Sequence, residues 1–140
     1  MFFGESAYKV DDKGRVPLPP KFRRELKTGM VLTKGLEKCI TVYPIAQWEK
    51  LSESLAAKAV SAASLRKLTR AIFASAFSAS FDGQGRIVLP YALRDYAQIA
   101  DTAIVIGANS TVELWSEEEW KTEKISADEQ AAKIMEDLGA

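Results

Sequence analysis

Residues 11–19 read DDKGRVPLP, and 71 residues further on, at 82–90, the chain reads DGQGRIVLP. The match extends when DDKGRVPLPPKFRREL is laid over DGQGRIVLPYALRDYA. Identities then fall at Asp11/Asp82, Gly14/Gly85, Arg15/Arg86, Leu18/Leu89, Pro19/Pro90 and Arg23/Arg94. Further on, TVYPIAQW lies over VELWSEEEW once one residue is inserted in the second copy, so that Tyr43 meets Trp115 and Trp48 meets Trp120. The chain is therefore an internal duplication. Each copy spans only about 45 residues, too few to close a hydrophobic core alone. Two copies packed about a pseudo-twofold axis can share one, which predicts a single compact unit of interlocked halves.

Each copy predicts the same succession of elements. SAYKV and FSASF alternate as strands entering the phrase, and RVPL and RIVL leave it as strands. Asp and Gly between two strands are turn chemistry: Gly14 and Gly85 can take a positive φ, and Asp11 and Asp82 can accept backbone N–H groups. Pro20 at a first helical position opens a short helix, KFRREL, and Pro90 precedes YALRDYA. Strands MVLTKG and CITVYP follow, matched by TAIVIG and TVELW, and then helical stretches after Pro44 and Ser116. SAASLRKLTRAIFASA reads as a helical connector, and residues 116–140, with eight acids and three lysines, as a solvated helix that frays at its end. The expected organisation is a first repeat at 5–47, a connector at 48–75, a second repeat at 76–119 and an acidic tail at 120–140.

The formal net charge is zero, yet residues 1–75 carry 14 Lys and Arg against 7 Asp and Glu, whereas residues 76–140 carry 5 against 12. This polarity points to a polyanionic partner or to charge-complementary self-association. Histidine is absent, which removes Ser/His and Cys/His triads and His-based metal sites and disfavours a small hydrolase. Cys39, in the apolar run CITVY, reads as a buried thiol and leaves no disulfide to form within the chain. No cofactor is expected, because GQGRIV has Val88 where a dinucleotide fingerprint needs its third glycine. No metal site is expected either, since adjacent Asp11 and Asp12 point to opposite sides. The N-terminal MFFGESAYKV lacks a basic start and a sustained apolar stretch, and no run approaches the roughly 18 apolar residues of a membrane span. A cytoplasmic protein without a membrane partner is the expectation. Tyr43, Trp48, Trp115 and Trp120 read as core or helix anchors rather than base-stacking platforms.

Two readings of the phrase stand side by side. A turn cap with a surface ion pair would preserve Asp, Gly and Arg for geometry alone. Alternatively Arg15, with Lys13 beside it, sits at an exposed hairpin tip, where the planar guanidinium can grip phosphate oxygens or the O6 and N7 of guanine. Asp11 could aim that fork by accepting one of its N–H groups. Lys13, Lys21 and Arg24 become Gln84, Ala92 and Asp95 in the second copy, while Arg15/Arg86 and Arg23/Arg94 persist. The first copy should thus supply most of any attraction for phosphate.

Taken together, MFFGE, the two D-x-x-x-R turns, GRVPLPPKFR, GLEKCITVYPIAQWEKL and VIGANSTVELWSEEEW resemble the MraZ family of bacterial transcriptional regulators, over residues 1 to about 122. The resemblance implies an α+β, mostly β fold: a double-split β-barrel of two AbrB-like swapped-hairpin repeats with flanking helices, assembled into a ring of protomers. It also implies a nucleoid-associated repressor that binds short direct repeats in double-stranded DNA, in the promoter of the division and cell-wall gene cluster, with the D-x-x-x-R turns as its contacts. On that basis Arg15 and Lys13 would read or clamp bases, with Asp11 aiming the Arg15 fork, and Lys9, Lys21, Arg23 and Arg24 would hold phosphates. Asp82, Arg86 and Arg94 would be secondary contacts or interface residues. Gln84 departs from the lysine of the first copy. An antitoxin-like barrel whose acidic terminal helix captures a partner would use the same fold.

Overall fold

Strand, turn, strand, helix, strand, strand, helix is the order in which each copy folds in the computed structural model, which describes residues 1–59 and 61–139. The first copy comprises β1 (Glu5–Lys9), β2 (Arg15–Pro17), α1 (Pro20–Leu26), β3 (Met30–Lys34), β4 (Ile40–Pro44) and α2 (Ile45–Ala59). After the connecting helix α3 (Ala63–Ala74) come β5 (Phe77–Ala79), β6 (Arg86–Val88), α4 (Tyr91–Ala97), β7 (Thr102–Ala108), β8 (Thr111–Trp115) and α5 (Glu117–Asp137). The fold is α+β and mostly β, as expected.

The strands pair across the copies. A six-stranded sheet runs in the order β1-β7-β8-β4-β3-β5, and β2 and β6 form a separate two-stranded ribbon. β1 of the first copy thus lies on β7 of the second, and β5 of the second lies on β3 of the first. Every ladder is antiparallel. Two ladders join equivalent strands: Val16 faces Ile87 in the ribbon, and Thr41 faces Glu113 in β4–β8. Both are pairs of repeat-equivalent positions, so both straddle the pseudo-twofold axis.

The strands flanking each D-x-x-x-R turn therefore do not pair with one another, and the turn is not the tip of a local hairpin as the sequence reading has it. It links a strand of the large sheet to a strand of the ribbon. β2 is only three residues long and ends on Pro17, which has no N–H to donate, so a long local hairpin ladder is denied to it.

The shared core explains the apolar half of the repeated phrase. Val16, Leu18, Ile87 and Leu89 are at most 1% exposed, and they pack with Phe22, Leu26 and Leu93 in one cluster. Pro19 and Pro90 stand at the N-caps of α1 and α4. The aromatic pairs matched in the alignment are in contact: Tyr43 packs edge-on against Trp48 at 5.4 Å and Trp115 packs tilted against Trp120 at 5.5 Å between centroids. Each pins the start of a helix to the strand before it. Ser116 caps α5 by accepting the Glu119 N–H at 3.1 Å, and Glu117, Glu118 and Glu119 occupy the first turn, where the helix dipole favours negative charge. Beyond its first turns α5 is exposed on nearly every side.

Candidate nucleic-acid interface

The polar half of the phrase builds the turns. In the first, Oδ1 of Asp11 accepts the N–H groups of Lys13 (3.0 Å) and Arg15 (2.8 Å), while Oδ2 accepts Nε–H of Arg15 at 2.6 Å. The backbone closes around this carboxylate, with the Asp11 N–H donating to the Arg15 carbonyl and the Gly14 N–H to the Asp11 carbonyl, each at 3.0 Å. The second turn repeats the pattern. Oδ1 of Asp82 accepts from Gln84 and Arg86 at 2.8 and 3.0 Å, and Oδ2 accepts Nε–H of Arg86 at 2.9 Å. The backbone N–H of Arg15 holds the Asp11 carboxyl below its usual range, helped by the guanidinium and the Lys13 N–H. Asp82 is lowered in the same way, first by the N–H of Arg86.

The spacing is now explicable. Position one supplies an acceptor that fixes two amides and one guanidinium. Position four must be left-handed, and Gly14 and Gly85 have φ of 80° and 74°. At position five stands an arginine whose Nε is taken by the aspartate, which orients the remaining fork. The side chains of Arg15 and Arg86 remain 32% and 25% exposed. Antiparallel pairing of β2 with β6 brings the two turns together, and Nη1 of Arg86 lies 3.8 Å from Oδ2 of Asp11. Two turns distant in sequence thus form one cluster of two carboxylates and two guanidinium groups.

Of the remaining expected site residues, Lys13 is exposed at the first turn, and Gln84, its counterpart in the second, is equally exposed. Lys9 is exposed at the end of β1, and Arg24 is exposed in the last turn of α1. Lys21 is exposed as well, with its Nζ 4.8 Å from the Phe3 ring centroid and 5.5 Å from that of Phe22. Arg23 and Arg94 are half-buried and held by protein groups. Nε of Arg23 donates to the Leu18 carbonyl at 3.2 Å, and Nε of Arg94 donates to that of Leu89 at 3.1 Å. Sequence reasoning missed these carbonyls and the Phe3 ring. The retention of arginine at 23 and 94, where the helix positions around it diverge, was the available signal.

Cys39 is 1% exposed, and burial, reinforced by Glu113 and Glu37, pushes its thiol up to about 12. Among the described residues no group of three or more His, Cys, Asp or Glu side chains is placed to hold a metal ion, and no helix is long and apolar enough to cross a membrane.

The family model described as "MraZ protein, putative antitoxin-like" matches the chain twice, at residues 1–71 and 72–137. Similar proteins include three named transcriptional regulator MraZ. That of Dehalococcoides mccartyi strain 195 is 48% identical over 139 residues, covering 99% of this chain and 98% of the relative. Its counterpart in Frankia alni is 43% identical over 99% of this chain and 96% of the relative. The protein of Halothermothrix orenii is 40% identical over 99% of both.

Proposed function

The chain belongs to the MraZ family, and from that premise we propose that it is a sequence-specific DNA-binding transcriptional regulator whose D-x-x-x-R turns form the contact surface. The observation that carries the reading is the pairing of the two turns, which sets Arg15 and Arg86 side by side, each partly exposed and each aimed by its own aspartate. A turn cap alone needs no such arginine, because the aspartate already satisfies the turn amides. Nothing in this role calls for catalytic turnover.

Arg15 and Lys13 enter the major groove and read or clamp bases. Lys9, Lys21 and Arg24 lie on the same copy and neutralise phosphates. Asp82 and Arg86 form the weaker second contact, since Gln84 replaces the lysine and Asp95 stands where the first copy has Arg24. The target is a set of short direct repeats in the promoter of the division and cell-wall gene cluster, where the protein acts as a repressor associated with the nucleoid in the cytoplasm. Protomers assemble into a ring, so that several turns meet several boxes and the affinity of each contact is multiplied by effective concentration. The basic first half and the acidic second half favour a head-to-tail contact between protomers.

Titrating promoter DNA from upstream of the protein's own gene tests the proposal. Removing one bidentate arginine contact costs about 1–3 kcal/mol, roughly 5- to 150-fold per box. Arg15→Ala should therefore abolish measurable binding on tandem boxes while leaving the oligomer intact in sedimentation, and Arg86→Ala should cost less. Undiminished affinity in Arg15→Ala would overturn the assignment.

An interaction role is the second reading, favoured by the exposure of Ile125, Ile134, Met135 and Leu138 along α5. It requires that a partner co-purify and that removal of residues 121–140 abolish operator binding.

A further inference from the structure

The duplication keeps one arginine in each short helix, and the structure assigns that pair a task different from holding phosphate. We propose that Arg94 and Arg23 are positioning residues that act across the pseudo-twofold axis, each holding the D-x-x-x-R turn of the other copy. The inference rests on the DNA-binding reading above for its functional consequence, though not for its geometry.

Gly14 carries the observation. A Cβ placed there would lie 3.0 Å from Nε and 3.1 Å from Cζ of Arg94, and 2.9 Å from the Leu89 carbonyl oxygen. The guanidinium of the second copy is thus laid against the bare Cα of the first turn. Two hydrogen bonds complete the connection: the Leu89 N–H donates to the Gly14 carbonyl at 2.8 Å, and Nε of Arg94 donates to the Leu89 carbonyl at 3.1 Å. The arginine contact is repeated in reverse at the second turn. Arg23 donates to the Leu18 carbonyl of its own copy, and its Cζ and Nη1 fill the space where a Cβ on Gly85 would stand.

Glycine is therefore required in each turn for two reasons, its left-handed φ and the arginine packed on it. The planar fork suits this task, since Nε donates to a carbonyl while the rest of the guanidinium lies against the glycine; an ammonium offers charge without the plane. Because the bracing is crossed, the basic first turn with Lys13 and Arg15 depends on Arg94, a residue of the acidic half.

Charge-preserving variants separate bracing from phosphate contact. In free protein, Arg94→Lys should speed hydrogen exchange of the Gly14 and Arg15 amides by on the order of tenfold through local opening, leaving Gly85 and Arg86 unchanged. Arg23→Lys should do the reverse. On promoter DNA, Arg94→Lys should weaken binding on the order of tenfold with the slope of log K against log salt unchanged, whereas loss of a phosphate contact reduces that slope by about one. Arg94→Met, which retains the apolar stem, provides the same exchange comparison should the lysine variant fold poorly.

Unaltered exchange at the first turn, loosening of the second turn instead, or full affinity in Arg94→Lys would overturn the proposal. The two readings fail separately. Exchange is measured without DNA, so unimpaired binding by Arg15→Ala would sink the DNA role while leaving the brace in place.

Discussion

Three glycine-to-alanine substitutions within the two turns should differ widely in cost, although sequence alone offers little reason to rank them. Gly14→Ala places a side chain at φ 80°, where the left-handed conformation costs roughly 1–2 kcal/mol. Its Cβ would also stand 2.9 Å from the carbonyl oxygen of Leu89. That oxygen cannot swing aside, because Leu89 is 1% exposed and its own N–H is bonded to Gly14. Forcing backbone apart in a packed core adds about 1–3 kcal/mol, for a total of roughly 2–5 kcal/mol. Gly85→Ala suffers the same φ penalty, but the atoms it meets belong to the Arg23 side chain, which can swing away at the loss of its hydrogen bond to the Leu18 carbonyl, about 0.5–1.5 kcal/mol. Its cost should be roughly 1.5–3.5 kcal/mol, below that of Gly14→Ala. Gly83 has open space around its Cα, and alanine there restricts the unfolded chain, a gain of about 0.4–1 kcal/mol where the backbone conformation suits it. At roughly 3–4 °C per kcal/mol for a chain of this length, calorimetry at one fixed protein concentration should place Tm in the order Gly83→Ala, parent, Gly85→Ala, Gly14→Ala. Equal losses in Gly14→Ala and Gly85→Ala would refute the argument from the immovable carbonyl, and a large loss in Gly83→Ala would refute the reading of the turn itself.

Ending the chain after Ile125 keeps the Lys124–Glu5 ion pair at 3.0 Å and the Trp115–Trp120 contact, and should change stability to urea by less than about 0.5 kcal/mol. Promoter affinity should survive this truncation if the turns, not α5, carry binding. Cys39 should react with a disulfide reagent at pH 8 only after unfolding, since the native thiol titrates near 12; native reaction at the rate of a free thiol would contradict its burial. Asp11 and Asp82 have folded values depressed below 3.8, so their stabilisation is fully present above that value and is lost as pH falls through the folded values. Amide shifts of Gly14 and Gly85, followed by NMR, should therefore be flat from neutrality down to about pH 5 and move only in stronger acid. A midpoint above 3.8 would refute the assigned hydrogen bonds.

The duplication made the order of elements readable, since hydrophobic alternation, Asp-x-x-Gly turns and helix-opening prolines are local signals. Strand partners were not readable to the same degree. Nothing in GESAYKV names β7 as its neighbour, and a three-residue β2 has too few residues to specify a register without Ile87 opposite Val16. The core role of Leu18 and Leu89 follows directly from their retention, whereas the neighbours of Arg23 and Arg94 do not. An arginine in an amphipathic helix looks the same whether it faces phosphate or another copy's glycine, and only the crossing of the two halves brings Gly85 to Arg23. The aromatic pairs were legible because their spacing of five residues, strand end to first helical turn, is itself a local distance.

The exchange of strands has a consequence for the kind of operator such a protein can favour. Two identical subunits related by a true twofold must see a palindrome, since each half-site is met by the same surface. Here the two halves are covalently joined, and the first copy has Lys13 and Arg24 where the second has Gln84 and Asp95. Turning the molecule end over end no longer returns the same groups to the same places. Bound to a duplex through its two turns, as proposed, the protein would have a front and a back and would distinguish one heading from the other.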